Sequence, residues 1–372
     1  MGKGGRLVSL DVMRGLTIAA MLVVNNPGSW SHVYAPLLHA EWNGLTPTDL
    51  IYPFFTFIMG VSMCFSLGKD SFAPTRAKIL KTLKRCVLLF LTGFALQCFS
   101  RACAGTFDFA TLRIMGVLQG LAVSYLLAAA ILMAARGRHI LPAAALILVS
   151  YMVTLHLGNG YELSPSNIIA RVDRAILGEG HLYVMNAGGV RTAFEPESLL
   201  SCLPRAAEVL LGVHVGKILV SGNSREDSVR DILLFGAALS VTAFLLRYLD
   251  PINKSIWSAS FTLATSGAAS LVLALLVWAI DVKGRTALCG FFMVFGSNPL
   301  FLYCVCWILS VLLGLGFGLS GNAVSLKSLY YSKCLLPWAG PYFASLLSAL
   351  TMMLLTWLAG LPLYRKKIFI KL

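Results

Sequence analysis

Charge is scarce in this chain. Asp, Glu, Lys and Arg make up 12% of its 372 residues, about half the share of a soluble globular domain. With 58% hydrophobic residues and a mean hydropathy of +0.78, that excludes a water-soluble protein. A CxxC pair is missing, and so is any His/Cys cluster with zinc spacing, which removes redox-motif and zinc-finger chemistry. No G-x-S-x-G elbow supports a serine nucleophile, and no glycine-rich loop is built to cradle phosphates. Internal repeats, low-complexity segments and a separate soluble domain are lacking too. The first apolar run is no cleavable signal peptide: Asp11 and Arg14 interrupt it, and no A-x-A site follows.

What the chain does have is a series of apolar runs of about 20 residues, enough to cross a hydrocarbon core of about 30 Å. The formal net charge is +14. Its Lys and Arg gather beside the apolar runs, as they do in cytoplasmic loops, so the balance reads as orientation and not as a nucleic-acid partner. Most of the nine cysteines lie inside apolar runs and read as small hydrophobes. Cys304 and Cys306 point to different helix faces. A disulfide among Cys98, Cys103, Cys202 and Cys334 requires those ends to be extracytoplasmic.

The runs predict an all-α polytopic membrane protein with about ten transmembrane helices and both termini cytoplasmic. The spans are Leu7–Val24, Thr48–Leu67, Cys86–Phe99, Ile114–Ala135, Ile140–Leu157, Pro204–Val220, Ile232–Leu249, Phe261–Ile280, one within Leu288–Gly316 that breaks at Gly296–Pro299, and Tyr342–Leu363. The strongly basic loop Lys69–Arg85 sets the inner side, together with Arg136–His139 and the basic C-terminal segment. Gly158–Leu203 then falls outside as a long polar loop, in which Asp173 and Arg174 read as a local pair.

The most unusual stretch is NNPGSWSHVYAPLLHAEWNGLTPTDLIYPFFTFIMG, from Asn25 to Gly60. A polar segment between two apolar runs places ionisable groups at the edge of the membrane, where they are costly and therefore functional candidates. His39 has the side chain suited to accept a proton near neutral pH. Asp49, ten residues on, can fix the tautomer of such a ring, and Asn25, fourteen back, can hold a developing oxyanion. The plain alternative is an interfacial histidine that caps a turn. His32 and His181 read as surface and loop residues. Asp11 and Arg14 share a helix face, either as a structural ion pair with a snorkelling arginine or with Arg14 turned to a phosphate.

Two stretches carry a resemblance: RLVSLDVMRGLTIAAMLVVNNPGSW and HAEWNGLTPTDLIYPFFTFIMGVSM. With LRIMGVLQG, IARVDRAILGEGHLY and DPINKSIWSASFTLATSG they make the chain similar, over most of its length, to the heparan-α-glucosaminide N-acetyltransferase family and its bacterial relatives. The resemblance implies transfer of an acetyl group from cytosolic acetyl-CoA to an amino sugar on the other side of the membrane. It puts the family's active-site His on His39, its partner Asn on Asn25 and the Asp of TPTDL on Asp49. It also implies a form without the luminal domain that precedes the membrane part of the lysosomal relative. Relatives often carry Arg after the Gln of GVLQ, whereas Gly120 stands here, so a contact made by that arginine is not carried over.

The sequence thus predicts one transmembrane acyltransferase domain over 1–372, in a bacterial inner membrane. Acetyl-CoA is its co-substrate, a glycan or amino sugar its acceptor, and His39 its general base. No metal and no nucleic acid is expected, and a homodimer is compatible with such a bundle. Arg14, Lys84, Arg85, Arg285 and Arg365 are the candidates for the coenzyme A phosphates, chosen by side and charge. Two alternatives stay open. One is an O-acyltransferase of cell-envelope glycans, whose first helix also often reads LDxxRG. The other is a transporter or flippase with a midplane polar site.

Overall fold

The computed structural model describes residues 7–187, 190–222, 224–287, 289–317 and 324–370. The first helix, α1 (Val8–Val24), leads into an irregular polar segment with two short 3-10 turns, and α2 (Ile51–Leu67) follows. Then come α3 (Arg76–Cys103), α4 (Val117–Ala134) and α5 (Ile140–Leu157). The long polar loop is not structureless. It holds an amphipathic helix, α6 (Ile168–Leu177), and a hairpin of β1 (Val184–Ala187) and β2 (Val190–Ala193). The second half contains α7 (Cys202–Ser221), α8 (Arg225–Leu246) and α9 (Ala259–Leu276), the last extended by a π-helical turn. α10 (Cys289–Ser297) and α11 (Pro299–Gly314) follow, then a two-residue ribbon of β3 (Gly316–Phe317) and β4 (Val324–Ser325). Two single turns, α12 (Leu326–Leu329) and α13 (Leu336–Ala339), lead to α14 (Pro341–Arg365).

The architecture is a helical polytopic membrane fold. Each expected apolar run lies in a helix or, for the ninth, in a helix pair. Among the described residues, seven helices are long and apolar enough to cross a bilayer, or eight with α10–α11 taken as one broken span. α1 has 17 residues, and α7 carries Arg205, Glu208 and Lys217, so neither is among those seven. The purely helical reading is corrected by the two small ribbons. The loop Lys69–Arg85 is corrected as well. It is helical from Arg76 on, because Thr75 caps the first turn and long basic side chains suit a helix interior. α10 and α11 meet at 83°. Pro299 cannot donate to the preceding turn, and Asn298 instead clasps a later segment. Its Nδ2 donates to the Ile368 carbonyl (2.9 Å) and its Oδ1 accepts from the Ile370 amide (2.7 Å).

Helix α7 is the hub. It packs on α2, α4, α5, α8 and α9, and its buried residues face all directions. Apolar chains gain little from leaving lipid, so close backbone approach through small residues drives such contacts. A Cβ on Gly60 would sit 2.1 Å from the Val209 carbonyl oxygen, and one on Gly212 would sit 2.2 Å from that of Phe57. The two glycines therefore set the spacing of α2 and α7, and α2 carries the residues of the site. Outward, α3, α5 and α8 expose Leu80, Val87, Leu91, Leu146, Val149, Leu234 and Val241, the faces a bilayer covers. All nine cysteines are free.

Candidate active site

The site grows from the turn that opens α2. In TPTDL, Pro47 fits the first turn because its missing N–H is unneeded there. Thr46 and Asp49 close a reciprocal cap. Asp49 Oδ2 accepts from the Thr46 amide (3.0 Å), the Thr46 hydroxyl (2.9 Å) and the Ala40 amide (3.2 Å). Its other oxygen, Oδ1, lies 2.6 Å from His39 Nδ1. The carboxylate is fully buried and saturated, while the imidazole is about half exposed at 52%. The same Thr46 hydroxyl lies 2.7 Å from the Leu38 carbonyl, so its one proton is shared between that oxygen and Asp49, which pins the chain just before His39. His39 and Asp49 meet as the sequence predicts.

A cavity of about 970 Å³ begins at this histidine. Asn25, at the end of α1, lines it together with His39, so the two share one space; Asp49 stands behind the histidine, outside the lining. Along α3 the lining runs from Gly93 to Ala104, a depth of about 16 Å at 1.5 Å per residue, roughly half a bilayer core. Trp30, Tyr52, Phe55, Tyr183, Trp257 and Trp307 give it aromatic walls. Its polar groups include Glu41, Arg101, Arg113, Glu197 and Lys254.

Three of these escape sequence reasoning. Lys254 reaches in from the DPINKSIW loop, with Nζ 3.0 Å from His39 Nδ1, 3.3 Å from Nε2 and 3.6 Å from Asp49 Oδ1. With Nδ1–H given to Asp49, Nε2 is the atom left to accept from Lys254. Burial pushes the Lys254 ammonium below its ordinary range, against the pull of Asp49 and Glu197. Arg113, of the LRIMGVLQG stretch, grips Glu195 with Nε (2.8 Å) and Nη2, and Glu197 with Nη2 (2.5 Å). Burial pushes the Glu195 carboxyl above its ordinary range despite that pairing. Glu197 is held below its usual range because Arg113, Arg205 and Lys254 outweigh its burial. The signal for Lys254 and Arg113 was their place in the motif stretches, while Glu197 lies outside them; distance in sequence from His39 hid the role of all three.

Under the cavity lies a second polar cluster. Arg205 of α7 is fully buried. It donates to the Tyr52 hydroxyl (2.9 Å), the Ser201 carbonyl (3.1 Å), the Ser198 carbonyl (2.9 Å) and the Ser201 hydroxyl, and stacks over Trp257 and Tyr52. Tyr52 and Trp257 are themselves cavity wall. A Cβ on Gly120 would lie 2.2 Å from Arg205 Nη1. The space beside Gly120 is thus filled by a guanidinium from α7, which is the physical setting of that departure from the GVLQ pattern.

The five basic residues expected at coenzyme A phosphates do not line the cavity. Arg14 pairs with Asp11 (2.9 Å) and donates to the Ser62 hydroxyl (2.8 Å). Arg85 lies over the Tyr125 ring. Lys84, Arg285 and Arg365 are exposed on α3, after α9 and at the end of α14. The proposed Asp173–Arg174 pair is corrected: Asp173 accepts from the Leu199 amide (3.1 Å) and Ser198 hydroxyl (3.4 Å), and Arg174 turns to the Pro165 carbonyl. His32 packs edge-on against Tyr342, and His181 Nδ1 lies 2.7 Å from the Leu112 carbonyl. Among the described residues no group of three or more His, Cys, Asp or Glu could hold a metal ion.

A family model described as heparan-alpha-glucosaminide N-acetyltransferase, catalytic, matches residues 6–249. The chain is 30% identical to the human heparan-alpha-glucosaminide N-acetyltransferase, covering 80% of this chain and 52% of that protein. It is 29% identical to the mouse protein of the same name, covering 80% and 53%. The chain spans about half the length of the curated relatives it matches.

Proposed function

Because the chain belongs to the heparan-alpha-glucosaminide N-acetyltransferase family, we propose that it is a membrane acetyltransferase that moves an acetyl group from acetyl-CoA to the amine of an amino sugar. The observation that carries this is the His39–Asp49 pair, set at 2.6 Å in the wall of a cavity that Asn25 also lines. An amine attacking a thioester must lose a proton. With Nδ1–H donated to Asp49, His39 presents the Nε2 lone pair to accept it. Asp49 is saturated by backbone and hydroxyl donors, so it holds the ring in place and faces the positive charge the ring acquires. Asn25, which lines the same cavity, donates its side-chain amide to the carbonyl oxygen as the C–N bond forms and negative charge gathers there. The C–S bond then breaks, and the thiolate takes the proton from the imidazolium. Lys254 occupies the Nε2 position at rest; displaced by the amine, its ammonium faces the departing sulfur.

The acceptor side follows from the same wall. Aromatic faces at Trp30, Tyr183 and Trp307 suit a sugar ring, and Glu197 offers a carboxylate to its ammonium or hydroxyls. The basic segments, with both termini, lie on the cytoplasmic side of a bacterial inner membrane, and the His39 end lies outside. The donor therefore reaches the site through the bundle, its phosphates left near the basic face.

The test uses purified full-length protein, labelled acetyl-CoA and glucosamine. Acetylated glucosamine should appear with wild type and not with His39→Ala, while donor binding persists. Wild-type protein that consumes no donor would end the reading. An acceptor keeping its hydroxyls but lacking the amine should stay unacetylated; its acetylation would make this an O-transferase.

A further inference from the structure

Lys254 is a primary amine held where an acceptor's amine has to come. An acceptor nitrogen that gives its proton to His39 Nε2 must sit at hydrogen-bond distance from that atom. Lys254 Nζ already does, at 3.3 Å, with Nδ1 3.0 Å away. Among the described residues that line the cavity, Lys254 is the only lysine. The arginines there, Arg101 and Arg113, stay protonated and are no nucleophiles. The Lys254 side chain is 22% exposed, so a molecule in the cavity can touch it.

The lysine is also fixed in place. Asn253, fully buried, donates from Nδ2 to Asn43 Oδ1 (3.1 Å), and the Gly44 amide donates to the Ile252 carbonyl (2.8 Å). These bonds tie the loop of Lys254 to the segment of His39. The Trp257 amide donates to the Lys254 carbonyl (3.0 Å) and closes the turn. Groups held together in this way react far faster than the same groups free in solution. Burial favours the neutral amine, the form with a lone pair, against the pull of Asp49 and Glu197.

We propose that Lys254 is an acetylation site of the protein's own reaction: with no amino sugar present, the donor's acetyl group passes to Nζ. The proposal rests on acetyl-CoA as donor and His39 as base. The Nζ lone pair attacks the thioester carbon, so an N–C bond forms and the C–S bond breaks. The N–H proton goes to His39 Nε2 and then to the leaving thiolate; an ammonium first gives one proton to water. The products are N-acetyl-lysine and free coenzyme A. A thiol does not take the acetyl group back from an amide, so the step does not reverse. It removes the positive charge beside Asp49 and leaves an acetyl group in the acceptor's place. A protein supplied with donor and starved of acceptor therefore turns itself off.

The test incubates the purified full chain in detergent with labelled acetyl-CoA and no acceptor, and maps the label by peptide mass. Wild type should gain one acetyl group, at Lys254, and lose transfer activity at the same rate. His39→Ala should take it up about 10²-fold more slowly or worse, the usual worth of the base. Saturating glucosamine should protect Lys254 in wild type, and Lys254→Arg should gain no label there. Label spread evenly over the lysines of wild type would overturn the proposal, whether or not a variant folds. So would label on His39 in place of Lys254, or equal rates at Lys254 in wild type and His39→Ala. Wild type that acetylates glucosamine yet never labels Lys254 leaves the enzyme standing and removes only this site. Wild type that acetylates neither removes both.

Discussion

Two polar clusters lie one helical turn apart at the start of α2, and they are built on opposite plans. Asp49 anchors His39, whose ring is half open to the cavity. Three residues on, Tyr52 meets Arg205, which has four hydrogen bonds, two aromatic faces and no exposure. Both place ionisable groups inside a bundle, where they are expensive. A cation with four of its five N–H donors engaged and no exposed surface is out of a substrate's reach, so Arg205 holds Tyr52 and Trp257 in the cavity wall. An imidazole tied at Nδ1 to Asp49, met at Nε2 by a lysine and half exposed, is placed for the proton transfer proposed above. Burial alone does not separate the two clusters, since Asp49 and Arg205 are both buried; access from the cavity does.

The largest test of that contrast is at His39. His39→Ala should lower turnover by about 10²–10⁴-fold, the usual worth of a general base, and leave the melting temperature in detergent nearly unchanged. Arg205→Met should do the reverse. It removes four buried hydrogen bonds, to the Ser198 and Ser201 carbonyls and the Tyr52 and Ser201 hydroxyls, for a loss of about 2–4 kcal/mol in stability, while protein folded in the cold keeps turnover within about tenfold of wild type, since no transition-state contact is lost. If the two variants exchange phenotypes, the contrast is wrong.

A buried acid outside both clusters sharpens it. Asp173, in α6, has a carboxyl lifted to about 6 by burial, against the pull of the Leu199 amide, the Ser198 hydroxyl and the Arg205 charge. A carboxyl raised on folding favours the protonated form. Its contribution is fully present below the unfolded value near 4 and is lost as pH rises through about 6. Wild type should therefore lose roughly 2–3 kcal/mol between pH 4 and 7, and Asp173→Asn should lose less. Parallel melting curves for the two proteins across that range would show that Asp173 titrates normally. The smallest effect is expected at Arg14. Paired with Asp11 and Ser62, Arg14→Ala should cost under about 1 kcal/mol and leave the donor KM within about twofold of wild type, as KM tracks contacts to the donor itself. A tenfold rise in KM, with Asp11→Ala harmless, would instead put a donor phosphate beside it.

The helices were legible because a bilayer fixes their length and forbids unpaired backbone, so each apolar run had one solution. His39 and Asp49 were legible because ten residues of turn chemistry, Pro47 and Thr46 included, bring them together locally. Lys254 was not, since it lies 215 residues from His39 and only the packed loop after α8 delivers it. Arg205 and Glu208 were passed over inside an apolar run, where one-dimensional hydropathy averages two charges away. The helical start of α3 was read as loop because orientation rules count Lys and Arg without regard to backbone shape. The five basic residues chosen by side and charge shared a face of the membrane, which is a weaker condition than sharing a site.

The clasp at Asn298 has a consequence for biogenesis. Tyr303, Cys306 and Trp307, which close one wall of the cavity, stand on the helix that begins at that bend. The bend is held by the Ile368 carbonyl and the Ile370 amide, 70 and 72 residues downstream. A ribosome moving from the amino end therefore releases α11 long before the segment that fixes its angle exists. The pair His39–Asp49 can form early, from turn chemistry alone, but the chamber around it is completed only after α14 has been made and inserted. A protein assembled in that order stays unfinished until translation has passed its last long helix.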